Sequence, residues 1–127
     1  MDFHAGQRWT YRSPEGFASS RLIIGAVVSF EGGESAICCS VTQAPRSGGG
    51  EHHDAVSIPF LPLTESAFRA TVLEFDGSGD PLDTFAERLQ DWSNDPKGLT
   101  IFTVPFDGQL DRLIARQMAE IVKRSAA

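Results

Sequence analysis

The spacing of apolar residues along the chain changes near Leu63. Before this residue, apolar side chains alternate with polar ones or form short β-branched runs, as they do in strands. After it, they recur every three or four residues behind good helix caps, which is typical of amphipathic helices. The pattern predicts an α+β fold with a curved antiparallel sheet of four to five strands, open or closing towards a small barrel. We expect three helices to pack on one side of that sheet.

Four strands are predicted before the change in spacing, at 7–12, 20–30, 35–42 and 55–60. The first three should form an antiparallel meander, with Gly25 at a bulge or bend. Pro59 and Pro62 limit the pairing of the fourth strand, which is therefore expected at an edge. Residues 43–54 include Gly48-Gly49-Gly50 and should form a mobile loop.

Helix signals follow this strand region. Thr64 is a good N-cap for a helix that continues through Phe75. Asp80 should cap a second helix, and Asp107 a third, with a strand at 99–104 between them. The apolar positions predicted to form the core are Trp9, Tyr11, Ile24, Phe68, Val72, Phe85, Leu89, Trp92, Phe102, Ile114 and Ile121.

Composition narrows the class of protein. A chain of 127 residues with 41% hydrophobic residues fits a single domain, 1–127, with a substantial core. The net charge of −6 opposes binding to a phosphate backbone, so nucleic acid is not an expected partner. The apolar run from Leu22 to Val28 is too short to span a membrane. Adjacent Cys38 and Cys39 cannot build a disulfide framework, and the start of the sequence lacks a secretory pattern, so a cytoplasmic location is expected.

Three arginines are candidates for a ligand-binding patch. Arg8 and Arg12 share the outward face of the first predicted strand, and Arg21 lies on the neighbouring strand. If Arg21 shares that face, the three guanidinium groups could bind a carboxylate or another anion. The alternative is a solvated sheet face whose arginines pair with nearby glutamates.

Four acidic residues lie along the polar face of the second predicted helix: Asp80, Asp83, Glu87 and Asp91. Such a series usually forms a solubilising face, and its functional interpretation is docking onto a basic partner.

His52 and His53 form the densest group of candidate metal ligands, between Glu51 and Asp54. Adjacent side chains in an extended chain point apart, so a solvated loop explains these residues better than a zinc site. Cys38 and Cys39 lie within a predicted strand, where alternation places one thiol in the core and the other on the opposite face. Structural cysteines are the favoured interpretation over reactive ones, and no cofactor is expected.

Three segments together resemble a family of short uncharacterised bacterial proteins. They are the segment from Gly6 to Arg12, which leads into Ser20 to Ile24; the segment from Ile58 to Thr64, which opens a helix; and Trp92 followed by the segment from Gly98 to Val104. The family has a W-x-Y-R start, a proline at the helix opening, and a glycine-led strand containing Phe-Thr before the last helix. Relatives often carry histidine where this chain has Cys38 and Phe60. The resemblance implies the same fold and no established activity.

These observations favour a non-enzymatic interaction module that binds a protein or an anionic ligand through Arg8, Arg12 and Arg21, or a basic protein through the acidic helix. The alternative is a small metal- or thiol-dependent enzyme that uses the His52/His53 and Cys38/Cys39 regions. A third interpretation is a subunit that serves only in a homo-oligomer.

Overall fold

The computed structural model describes residues 2–45, 55–97 and 99–125 of the chain. These residues form one five-stranded antiparallel sheet and three helices, which confirms the predicted α+β fold. In chain order the elements are β1 (Gln7–Tyr11), β2 (Arg21–Val28), β3 (Ala36–Pro45), β4 (Ala55–Thr64), α1 (Glu65–Thr71), β5 (Val72–Ser78), α2 (Phe85–Ser93) and α3 (Leu110–Ser125). The strand order is β4-β3-β2-β1-β5, so β4 and β5 are the edges and the sheet is open rather than closed into a barrel.

The predicted meander is confirmed, and Gly25 lies at its irregular point. The register between β2 and β3 shifts between Ile24 and Ala26, as a bulge requires. A Cβ atom on Gly25 would lie only 2.4 Å from ring carbons of Phe85. Glycine therefore lets α2 approach the sheet closely at this position.

Helices cover both faces of the sheet. One face carries Trp9, Leu22 and Cys39, which share a buried cluster with Phe68 of α1 and Leu113 of α3. The opposite face carries Ala36 and Cys38, which pack with Phe85 of α2. The expectation that all three helices pack on one side is wrong. The unbroken apolar runs in β2 and β3 are typical of strands that are buried on both faces.

The segment that follows α1 is a strand, not a continuation of the helix to Phe75. Helix α1 has the predicted N-cap, since the Thr64 hydroxyl accepts a hydrogen bond from the Ala67 amide. Val72 then adopts extended backbone angles and begins β5, which pairs with β1. Phe75 lies opposite Trp9 in that pairing, with ring centroids 5.6 Å apart. The open edge of β1 thus decides the conformation of a segment whose apolar spacing also fits a helix.

Three other predicted features differ from the structure. Helix α2 begins at Phe85, so Asp80 is not its N-cap. The amide of Leu82, which lies before the helix, donates a hydrogen bond to the Ser40 hydroxyl at 3.0 Å. Asp107 does not cap α3 but accepts hydrogen bonds from two arginines. Residues 99–104 are irregular apart from a single parallel bridge between Leu63 and Phe102.

Most of the predicted core is buried or packed against the core, but Ile114 and Ile121 are each 46% exposed. Among the described residues, α3 joins the main core cluster through Leu110 and Leu113, at its start. Helix α3 therefore carries more apolar side chains than it buries. Within the described residues, no helix is both long and apolar enough to cross a bilayer.

Candidate functional site

A groove of about 490 Å³ lies between β4, α2 and the irregular segment 99–104. Its floor includes the rings of Pro59, Phe60 and Pro62 from β4, Trp92 from α2 and Phe102 from the irregular segment. An open, largely apolar groove with a few polar groups at its border is the usual form of a binding site.

Three contacts hold the aromatic floor in place. The ring centroid of Phe60 lies 5.6 Å from that of Trp92 and 5.6 Å from that of Phe85. The indole N–H of Trp92 donates to the carbonyl of Thr100 at 2.7 Å, which supplies the partner that a partly buried tryptophan requires. This bond joins α2 to the irregular segment. The groove is therefore preformed.

The rim of the groove is charged. Arg88 and Asp91 project from α2, and Asp95 follows the helix. All three are exposed, and none forms an ion pair with another residue in the described part of the chain. The side chain of Asp95 accepts a hydrogen bond from the Lys97 amide at 2.9 Å, which orients its carboxylate. The rim carries one more negative than positive charge, so it favours a cationic group.

The outer edge of β4 borders this groove and is paired at only one end. Phe102 donates its amide to the Pro62 carbonyl at 3.0 Å and accepts from the Thr64 amide at 2.9 Å. Among the described residues, no strand lies along the outer edge from Ala55 to Phe60, as the sequence predicted for an edge strand. Because Pro59 and Pro62 have no amide hydrogen, this edge is a poor template for an added strand.

The predicted arginine patch is divided between two cavities. Arg8 and Arg21 line one of about 360 Å³, where both Nε atoms donate to the Asp76 carboxylate at 3.2 and 2.8 Å. The hydrogen bond from Arg21, together with the charge of Arg8, holds the pKa of Asp76 below its ordinary value. Arg12 lies apart from this pair and lines a cavity of about 280 Å³ with Arg116. The ligand-binding role of the three arginines remains a prediction.

The two cysteines lie on opposite faces of β3, as alternation predicted, and both are fully buried because helices cover both faces. Burial raises the pKa of the Cys38 thiol to about 12 and raises that of Cys39 as well. The Cys39 thiol donates to the Leu61 carbonyl at 3.4 Å. A nucleophilic thiol needs the opposite environment, accessible and electropositive.

The proposed metal region lies outside the described residues, since these exclude His52 and His53. Within the described ranges, no cluster of three or more histidine, cysteine, aspartate or glutamate residues is arranged to hold a metal ion. The same gap contains most of the loop predicted to be mobile, although residues 43–45 belong to β3.

Sequence reasoning assigned Trp92 to the core and Asp91 to a charged surface, but did not combine them with Phe60 into a groove. The available signal was the Pro-Phe-Leu-Pro run in an edge strand, which keeps that edge unpaired. Comparison with family models, with curated proteins and with solved structures finds no match for this chain, so the resemblance to the bacterial family remains a prediction.

Proposed function

We propose that this protein is a non-enzymatic interaction module that binds a peptide segment of a partner protein in the groove between β4 and α2. The segment carries an apolar side chain beside a lysine or arginine. The observation that carries this proposal is the preformed floor of Phe60, Trp92 and Phe102 beside the exposed carboxylates of Asp91 and Asp95.

The chemistry of the groove favours such a segment. An apolar side chain gains about 25 cal/mol for each Å² of apolar surface that it removes from water on the floor. A lysine or arginine is attracted to the face of a tryptophan and to carboxylates beside it. The net charge of −6 also attracts a basic partner at longer range.

The mode of binding follows from the edge of β4. Pro59 and Pro62 remove two amide donors, so the segment binds through its side chains in the groove rather than by extending the sheet. Arg88, at the same rim, can donate a hydrogen bond to a carbonyl oxygen of the bound backbone.

The groove is better suited to a ligand than the surface around Arg8 and Arg21, because those two arginines already share the carboxylate of Asp76. A thiol-dependent enzyme is less favoured, since both thiols are fully buried and hold their protons tightly. A binding module therefore accounts for more of the observed geometry than an enzyme does.

The test is selection of a random twelve-residue peptide library on the immobilised protein, followed by titration calorimetry with the selected peptides. We expect selected sequences to combine a lysine or arginine with a neighbouring aromatic or aliphatic residue. Binding should weaken as salt is raised, because the rim contacts are exposed.

A pair of matched double variants gives the control. Asp91→Asn with Asp95→Asn removes two charges from the rim, and Asp80→Asn with Asp83→Asn removes two exposed charges from the segment before α2. The rim variant should bind about tenfold more weakly than the control variant, as the loss of a charge-assisted contact predicts. Equal binding by the two variants, or selection of peptides without basic residues, would contradict the proposal.

A further inference from the structure

The cavity of about 280 Å³ that Arg12 and Arg116 line lies where the end of β1 meets the start of α3. It is lined by Arg12 and Arg116, by the carboxylate of Asp107, and by the apolar side chains of Leu73, Pro105 and Phe106. It is separate from the groove, since the two share no lining residue.

The arginines around this cavity differ in their partners. Arg116 donates to the Pro105 carbonyl at 3.3 Å and to one oxygen of Asp107, which also accepts from Arg112 at 2.9 Å. Arg12 is exposed, and its side chain makes no hydrogen bond or ion pair with any other residue in the described ranges. Its guanidinium group therefore has all of its donors available beside a fixed second arginine.

The local charge is positive although the whole chain is negative. Arg12, Arg112 and Arg116 contribute three positive charges, and Asp107 and Asp111 contribute two negative charges. Helix α3 also begins three residues after Asp107, and the partial positive charge of a helix N-terminus adds to that of the arginines. Three of the eleven lysine and arginine residues of the chain therefore lie close together around this cavity.

We propose that this cavity binds a small carboxylic acid with an apolar body. The carboxylate lies between Arg12 and Arg116, where guanidinium groups provide paired donors that match its two oxygens. The apolar body lies against Leu73 and Phe106.

The test is titration of the whole protein with butyrate, followed by NMR of the arginine Nε–H groups. We expect saturable shifts of the Arg12 and Arg116 signals. Butyramide, which has the same shape without the charge, should not bind. Inorganic phosphate should bind more weakly than butyrate, because it has no apolar body to place against Leu73.

Substitution of Arg12 separates this cavity from the other arginine pair. Arg12→Gln should weaken butyrate binding about tenfold, with Arg12→Lys intermediate, since lysine keeps the charge but loses the paired donors. Arg8→Gln, on the same strand, should leave binding unchanged. Because Arg12 is exposed and unpaired among the described residues, thermal unfolding of its variants should match that of the wild type. Shifts that do not saturate, equal binding to Arg12→Gln, or tighter binding of phosphate would overturn the proposal.

Discussion

Replacement of Gly25 by alanine tests the contact that holds α2 against the sheet. The new Cβ atom would lie 2.4 Å from two ring carbons of Phe85 and 2.8 Å from a third, whereas carbon atoms normally approach to about 3.5–4.0 Å. The ring must therefore move by about 1 Å or more. Since Phe85 also contacts Phe60, the movement should reach the floor of the groove.

The expected cost can be estimated from known core substitutions. Overpacking of a core lowers the free energy of unfolding by about 1–3 kcal/mol. Replacing glycine by alanine raises it by about 0.4–1 kcal/mol, because alanine reduces the conformational entropy of the unfolded chain. We expect Gly25→Ala to lower the free energy of unfolding by about 1–2 kcal/mol, measured by urea denaturation. Gly33→Ala is the matched control, since a Cβ atom there meets nothing within 4 Å and its stability should change by less than about 0.5 kcal/mol.

A double-mutant cycle with Phe85→Ala identifies the ring as the cause. Phe85→Ala alone should cost about 3–5 kcal/mol, because the side chain is buried. In the presence of Gly25→Ala it should cost at least about 1 kcal/mol less, since the clash has been removed. Additive losses, or equal losses from Gly25→Ala and Gly33→Ala, would refute the proposed packing of α2.

Three further predictions concern the core. Cys38→Ala and Cys39→Ala should each lower the free energy of unfolding by about 1–2 kcal/mol in urea denaturation, since both thiols are fully buried; a loss from only one would mean that one face is open. Because burial raises the pKa of Cys38 to about 12 and also raises that of Tyr11, the folded state holds these protons more tightly than the unfolded state does. The free energy of unfolding should therefore fall as pH rises from about 9 towards 12, and a pH series that shows no such fall would contradict the burial of these groups. Leu113→Ala should lower the free energy of unfolding by about 2–5 kcal/mol, and Ile121→Ala should lower it by less than about 1 kcal/mol. If thermal unfolding shows Ile121→Ala to be the less stable of the two variants, the assignment of Leu113 to the packed face of α3 is wrong.

The strands and the first helix cap were predictable because local signals determine them. The alternation around Trp9, the bulge at Gly25 and the hydroxyl of Thr64 each act within a few residues. The segment from Val72 to Phe75 was not predictable in this way. Its spacing fits a helix, and only the open edge of β1, distant in sequence, makes it a strand.

The candidate site depends on contacts between distant parts of the chain. Phe60 and Trp92 are 32 positions apart in the sequence, and both appear there simply as apolar residues. Their position in a groove follows from the crossing of α2 over the second face of the sheet, which apolar spacing alone does not specify. The partner of Arg8 and Arg21 was not predictable for the same reason, since Asp76 lies in β5, a strand whose first part, from Val72 to Phe75, was predicted to be helical.

The central claim is that a peptide with an apolar and a basic side chain binds between β4 and α2. The most direct measurement is the set of intermolecular nuclear Overhauser effects between a selected peptide and the aromatic ring protons of the protein. The account predicts contacts from the peptide to the rings of Trp92, Phe60 and Phe102, with none to Phe75 on the opposite edge of the sheet. A bound peptide that shows no contact to Trp92 or Phe60 would contradict the account.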